Sequence, residues 1–162
     1  MNDSLDQLLE KLSENEIAIG RLYRQFSETF TEDAEFWKQM SVQEQAHSEW
    51  IGQLREFVRV ERIGTGLNRL HCQAISTSIH YINSVMEKCR QGEIAKLKAY
   101  AIAYDIENSL LEKKFITAYE LGSASSREIQ SKLIRETENH RKKIGGALAE
   151  IRRKKLKNKV PA

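Results

Sequence analysis

Residues 43–48 read QEQAHS and place a carboxylate, Glu44, three positions before an imidazole, His47. Both belong to a run of mostly apolar residues spaced three or four apart: Trp37, Met40, Glu44, His47, Ile51, Leu54 and Val58. This is the spacing of one face of an α-helix that packs against a core. An ionised carboxylate on such a face is costly unless it is paired or bound to a metal. The stretch therefore predicts a long helix whose buried face requires a partner for Glu44 and His47.

The composition is that of a single helical domain. The chain has 162 residues, eight glycines and one proline, Pro161, which lies at its end. This length suits one domain, and no alternation of β-branched residues indicates a sheet. The N-terminus lacks the layout of a secretory signal and no apolar run approaches the length of a bilayer span. We therefore predict a cytoplasmic protein with no membrane partner.

The two cysteines and the charge distribution narrow the function further. Cys72 and Cys89 form no CxxC pair, which argues against a zinc or iron–sulfur knuckle.

The C-terminal end of the chain is strongly basic. Residues 141–162 contain nine lysines or arginines and one acid, whereas residues 1–140 contain seventeen lysines or arginines and twenty-two acids. We predict a helical domain at residues 1–151 followed by a basic tail at residues 152–162. The tail could contact nucleic acid, but a solvated helix end is the more common role of such a run.

Five helical segments follow from the periodic pattern. They cover approximately residues 2–30, 31–61, 67–90, 94–121 and 125–151. Glycines at positions 64, 66, 92 and 122 separate the later segments. We predict an all-α four-helix bundle, with the third segment as an extra helix in the long connection between the second and third bundle helices.

Each of the four long segments carries a carboxylate on its apolar face, and two carry a histidine as well. The candidate ligands are Glu16, Glu44, His47, Glu107, Glu136 and His140. Carboxylates can bridge two cations and offset their charge, while a neutral imidazole supplies one nitrogen ligand. We therefore predict that these side chains converge on a metal site inside the bundle.

The stretches EIAIGRLY, at residues 16–23, and EQAH, at residues 44–47, resemble the ligand helices of rubrerythrin and other ferritin-like di-iron proteins. The resemblance covers most of residues 10–150 and leaves out the third segment. It implies a ferritin-like bundle that binds iron, as a di-iron centre if the site is complete, or another divalent metal. It also implies an oxidoreductase of the peroxidase or ferroxidase type, acting on peroxide, dioxygen or ferrous iron, and a homodimer.

The resemblance also implies individual roles. Glu16 would be a terminal ligand, Glu44 a bridge and His47 a nitrogen ligand, and Glu107 would repeat the role of Glu16 in the second half. The side chains that support these ligands would include Tyr23, Tyr104 and Thr137, with the tyrosines as hydrogen-bond donors.

The last segment departs from the family pattern. Three residues before His140 the family has Glu, and this sequence has Thr137. Glu136 lies about 40° from His140 around the helix and Thr137 about 60° on the other side. We expect Glu136 to reach the metals if the helix rolls slightly. A further family carboxylate is missing because Tyr104 stands three residues before Glu107, and the sequence has no rubredoxin-like segment.

A bundle that has lost its metal is the alternative. Its polar core residues would satisfy one another, for example Glu44 with His140 or Glu16 with Tyr104, because buried polar groups form hydrogen bonds. Such a protein would be a non-catalytic interaction partner. The sequence leaves both interpretations open.

Overall fold

The computed structural model describes residues 5–61, 69–109 and 122–157, which form five α-helices. They are α1 (Leu5–Thr29), α2 (Ala34–Glu61), α3 (Arg69–Arg90), α4 (Lys96–Ser109) and α5 (Ala124–Lys157), with a 3₁₀ turn at Thr31–Asp33 between α1 and α2. No strand occurs within these three ranges, so the predicted all-α class is confirmed for them. The predicted break at residues 64–66 and the predicted extension of the fourth segment from residue 110 to 121 lie outside the described residues.

The helices pack in pairs around a shared core. Helix α1 packs most extensively against α2 and also against α3, while α5 packs against α4 and α2. Helix α3, predicted as a connection, therefore covers one side of α1. It ends at Arg90, and Gly92, two residues further on, has a φ of 74° in the left-handed region. The Glu93 amide donates to the Lys88 carbonyl and the Gly92 amide to that of Cys89, the pattern of a glycine-terminated helix.

Gly20 lets α1 approach α2 closely beside Glu44. A Cβ atom at position 20 would lie 3.3 Å from Glu44 Cβ and 3.3 Å from the Ser41 carbonyl oxygen. The Ser41 hydroxyl donates to the Gly20 carbonyl at 2.8 Å. The two helices are thus fixed against each other at the level of the predicted ligands.

A polar layer divides the hydrophobic core into two apolar clusters. One cluster contains buried residues from the second half of α1 and from α4, such as Phe26 and Tyr100. The other contains residues from the first half of α1 and the second half of α2, such as Leu8 and Leu54. Along α1, α2 and α5, the buried acids and histidines lie between the residues of the two clusters. The buried ligands predicted on these three helices therefore occupy one cross-section of the bundle.

Helix α5 continues past the bundle as a charged, exposed segment. Residues 152–157 are all exposed, and Leu156 among them is 67% exposed. Arg153 and Lys154 pair with Glu150 on the same helix. None of the described helices combines the length and apolar character that a bilayer span requires.

Deleting residues 152–162 should leave the thermal stability nearly unchanged, because the described part of this segment buries no side chain. We expect Tm to shift by less than about 2 °C, since 1 kcal/mol moves Tm by about 2–4 °C in a chain of this size. A deletion of residues 148–162 is the control, and it should lower Tm clearly because it also removes the buried Leu148. Thermal unfolding followed by circular dichroism measures both. A comparable drop in the two truncations would show that the tail packs on the bundle.

Candidate metal centre

Five of the predicted ligands converge in the polar layer, from four different helices. Their exposed fractions are 0% for Glu16, 1% for Glu44, 2% for His47, 6% for Glu107 and 0% for His140. The acids and histidines come from α1, α2, α4 and α5. The burial of three carboxylates at one level of a core is costly unless cations or hydrogen bonds compensate their charge.

Glu44 lies between the two histidines and uses a different oxygen for each. Its Oε1 lies 2.8 Å from His140 Nδ1, and its Oε2 lies 3.0 Å from His47 Nδ1. The two imidazole rings are stacked, with centroids 4.7 Å apart and planes 24° from parallel. Glu44 is thus the central group of the layer.

Each imidazole has a second carboxylate near the same nitrogen. Glu16 Oε2 lies 3.5 Å from His47 Nδ1, and Glu107 Oε1 lies 4.0 Å from His140 Nδ1. The layer therefore consists of two parts that share Glu44. We call Glu16, His47 and Glu44 Oε2 the first half-site, and Glu107, His140 and Glu44 Oε1 the second half-site.

The Glu44 carboxyl remains ionised despite its burial. Burial alone would raise the pKa of this group by disfavouring its charged form. The hydrogen bonds with His140 and His47 outweigh the burial and hold the pKa of the Glu44 carboxyl well below its usual range. An ionised carboxylate in this position can either coordinate a cation or accept hydrogen bonds from the two imidazoles.

Tyr23 supports the second half-site. Its hydroxyl donates to Glu107 Oε1 at 2.6 Å, and its ring is completely buried. Burial, followed by the nearby carboxylates of Glu107 and Glu44, raises the pKa of the Tyr23 phenol well above its usual value. The phenol therefore keeps its proton and acts as a donor to Glu107.

The structure does not bring Glu136 into the cluster. Its side chain is 26% exposed, and its carboxylate lies near Arg135 on one side and accepts from Asn139 on the other. Thr137 takes the inward position instead, with 3% exposure, and its hydroxyl donates to the Leu133 carbonyl at 3.0 Å. The expected small roll of the helix does not occur because Leu133, Thr137 and His140 together form the buried face of α5.

Tyr104, predicted as a supporting residue, also lies away from the cluster. It is half-buried, and its ring would lie 3.0 Å from a Cβ atom at Gly145. Its phenol lies close enough to the Arg141 guanidinium to interact with it electrostatically. The smaller Ala103 occupies the buried face of α4 instead. The predicted pairing of Glu16 with Tyr104 is therefore not what the structure has, whereas the predicted pairing of Glu44 with His140 is present.

Trp50 is a neighbour of the site that the sequence did not single out. Its ring centroid lies 5.4 Å from that of His47, and the Lys132 ammonium lies 4.0 Å from the Trp50 ring. Trp50 is half-buried. Its position three residues after His47, on the same helix face, is the signal that could have identified it.

The donor set fits a divalent transition metal. For a cation–ligand distance of about 2.1 Å, neighbouring ligands at right angles lie about 3 Å apart. The two Glu44–histidine separations, 2.8 and 3.0 Å, are close to this value. Donor atoms of Glu44, His47 and His140 all lie within 4.8 Å of one another. Among the described residues, the buried His140 Nε2 has no hydrogen-bond partner, and it is the ring nitrogen that does not face Glu44.

Comparison with known proteins identified no relative of this chain. No protein-family model matches the chain. No curated protein and no solved structure is significantly similar to it.

Proposed function

We propose that this chain is a ferritin-like bundle of the rubrerythrin kind, which binds divalent transition-metal ions, iron first among them, in its polar layer. The observation that supports this most directly is the position of Glu44, whose two oxygens face the imidazoles of His47 and His140 separately. Each imidazole has its own outer carboxylate, Glu16 or Glu107. Such a layout resembles the carboxylate and histidine set of ferritin-like di-iron bundles.

In this function the side chains bind the ions and exclude water. The first half-site would hold one ion and the second half-site another, with Glu44 between them. Tyr23 keeps the Glu107 carboxylate oriented, and the surrounding apolar clusters exclude bulk water from the layer. Iron, when bound, supplies one-electron redox chemistry towards peroxide or dioxygen. The proposed activity is therefore that of an oxidoreductase acting on peroxide or dioxygen, or oxidising ferrous iron.

A metal-free interaction protein is the second candidate function. The Glu44–His140 separation of 2.8 Å is also that of a charge-assisted hydrogen bond. Thr137, at the position where the family has a carboxylate, favours this candidate as well. Metal content distinguishes the two candidates.

Elemental analysis of protein purified without added metal tests the proposal. We expect the wild type to contain iron, manganese or zinc, and Glu44→Gln to lose it, since the amide keeps the shape but removes the central charge. Glu49→Gln is the matched control on the same helix, because Glu49 is exposed. If the wild type contains none of these metals and takes up none from anaerobic ferrous solution, the metal-free candidate stands.

A further inference from the structure

The two half-sites differ in how closely their outer carboxylates approach. The Glu16 oxygen lies 3.5 Å from the nitrogen of His47, whereas the Glu107 oxygen lies 4.0 Å from that of His140. Neighbouring ligands on one cation are about 3 Å apart. The first half-site therefore needs less movement to hold a cation than the second does.

The hydrogen bond of Tyr23 increases this difference. The oxygen of Glu107 that faces His140 is the same Oε1 that accepts the Tyr23 proton at 2.6 Å. For Glu107 to approach a cation beside His140, it must move relative to a ring that is fully buried and packed 5.4 Å from the ring of Trp37. The electron density of Oε1 would also be shared between the phenol proton and a bound cation. Both effects weaken binding at the second half-site.

The last helix gives the second half-site no further carboxylate. Thr137 lies one turn before His140 and is buried, but its side chain carries no charge and donates to the backbone of its own helix. Glu136, four residues before His140, is partly exposed and paired with Arg135. With both half-sites filled, the described residues would thus offer the second cation two carboxylates, Glu107 and the shared Glu44.

Taking the proposed metal-binding function as the basis, we propose that the two half-sites are unequal. The first half-site retains its cation, and the second binds a divalent cation that exchanges with solution. The second half-site would therefore bind a free divalent ion such as Fe²⁺ from solution. The ion that stays bound would lie beside His47.

Cobalt titration of the metal-free full-length protein tests this inequality. The visible absorption of Co²⁺ reports each ligand set, and desalting followed by elemental analysis reports which ions remain. We expect two steps, with the first at least about tenfold tighter, the factor that lost supporting interactions at a metal site commonly cost. About one ion per chain should survive desalting.

A matched pair of substitutions assigns the steps. Glu16→Gln should weaken the tight step at least about tenfold, whereas Glu107→Gln should leave the tight step in place and remove the weak one. Circular dichroism checks that both variants are folded, and the two steps of the wild type test the inference without them. Two equal steps, one step with no second, or a tight step lost in Glu107→Gln would each overturn the inequality and leave metal binding intact. No cobalt binding at all would overturn the proposed function together with the inequality.

Discussion

Replacing Thr137 by glutamate is expected to destabilise the metal-free protein and to strengthen its binding of metal. Thr137 is 3% exposed, so an ionised carboxylate there is buried and costs several kcal/mol when no cation is bound beside it. A cation offsets this cost, because the new carboxylate comes from the position one turn before His140. The variant should therefore unfold at lower urea concentration than the wild type in EDTA, and its stability should rise more steeply with added Mn²⁺ or Co²⁺. A ligand at one hundred times its Kd stabilises by about 2.7 kcal/mol.

Thr137→Gln is the matched control for this result. It has the size of glutamate without the charge, so it should disturb packing but gain no metal-dependent stability. Urea unfolding of the three proteins, each with EDTA and with metal, separates charge from size. If Thr137→Glu neither loses stability in EDTA nor gains it with metal, position 137 does not face the site.

Replacing Trp37 by alanine is expected to lower the free energy of unfolding by about 3–5 kcal/mol. The Trp37 ring is completely buried and lies 4.5 Å from the ring of Tyr100, 5.1 Å from that of Phe26 and 5.4 Å from that of Tyr23. Alanine would leave a large cavity where α1, α2 and α4 meet. Because Trp37 also packs against the ring of Tyr23, the substitution should weaken the hydrogen bond from Tyr23 to Glu107.

Two further variants sharpen the Trp37 prediction. Among the described residues, the Trp37 indole nitrogen has no hydrogen-bond partner, so Trp37→Phe removes a buried donor that is unsatisfied and should cost much less than Trp37→Ala. Val42→Ala, five residues along the same helix at a side chain 69% exposed, should change the free energy of unfolding by less than about 0.5 kcal/mol. Urea unfolding measures all three. An alanine variant as stable as the Val42 control would contradict the packing described.

The burial of the five converging ligands was predictable from periodicity. Glu16, Glu44 and His47 follow their apolar neighbours at steps of three or four, and Glu107 and His140 do the same in the second half of the chain. Such spacing fixes which face of a helix each residue occupies. Convergence then required only that the four helices pack together with these faces inward.

Glu136 and Tyr104, which the sequence pattern misplaced, show what periodicity cannot predict. Glu136 and Thr137 are both within about 60° of His140, so the pattern alone cannot choose between them. The choice depends on how α5 is rotated, and packing against other helices sets that rotation through Leu133, Ile144 and Leu148. Tyr104 was misplaced for the same reason, because the buried face of α4 runs through Ala99 and Ala103.

The packing of α3 and the hydrogen bond from Tyr23 to Glu107 could not be predicted from the sequence for another reason. Helix α3 contacts α1 across a large separation along the chain, and its own pattern shows an apolar face without naming the partner. Tyr23 and Glu107 are 84 positions apart, and the sequence placed both on inner faces without pairing them. The distance between side chains on two helices depends on how far one helix is shifted along its axis relative to the other.

Anomalous X-ray diffraction from crystals of the full chain grown with Mn²⁺ tests the metal centre most directly. We expect a cation peak beside Glu44 and His47, and a weaker peak beside Glu44 and His140 at higher Mn²⁺ concentration. The expected ligands are the five buried residues of the polar layer, with Glu136 absent from both coordination spheres. A map with no cation peak in this layer, in which Glu44 and His140 remain joined by a direct hydrogen bond, would contradict the metal centre.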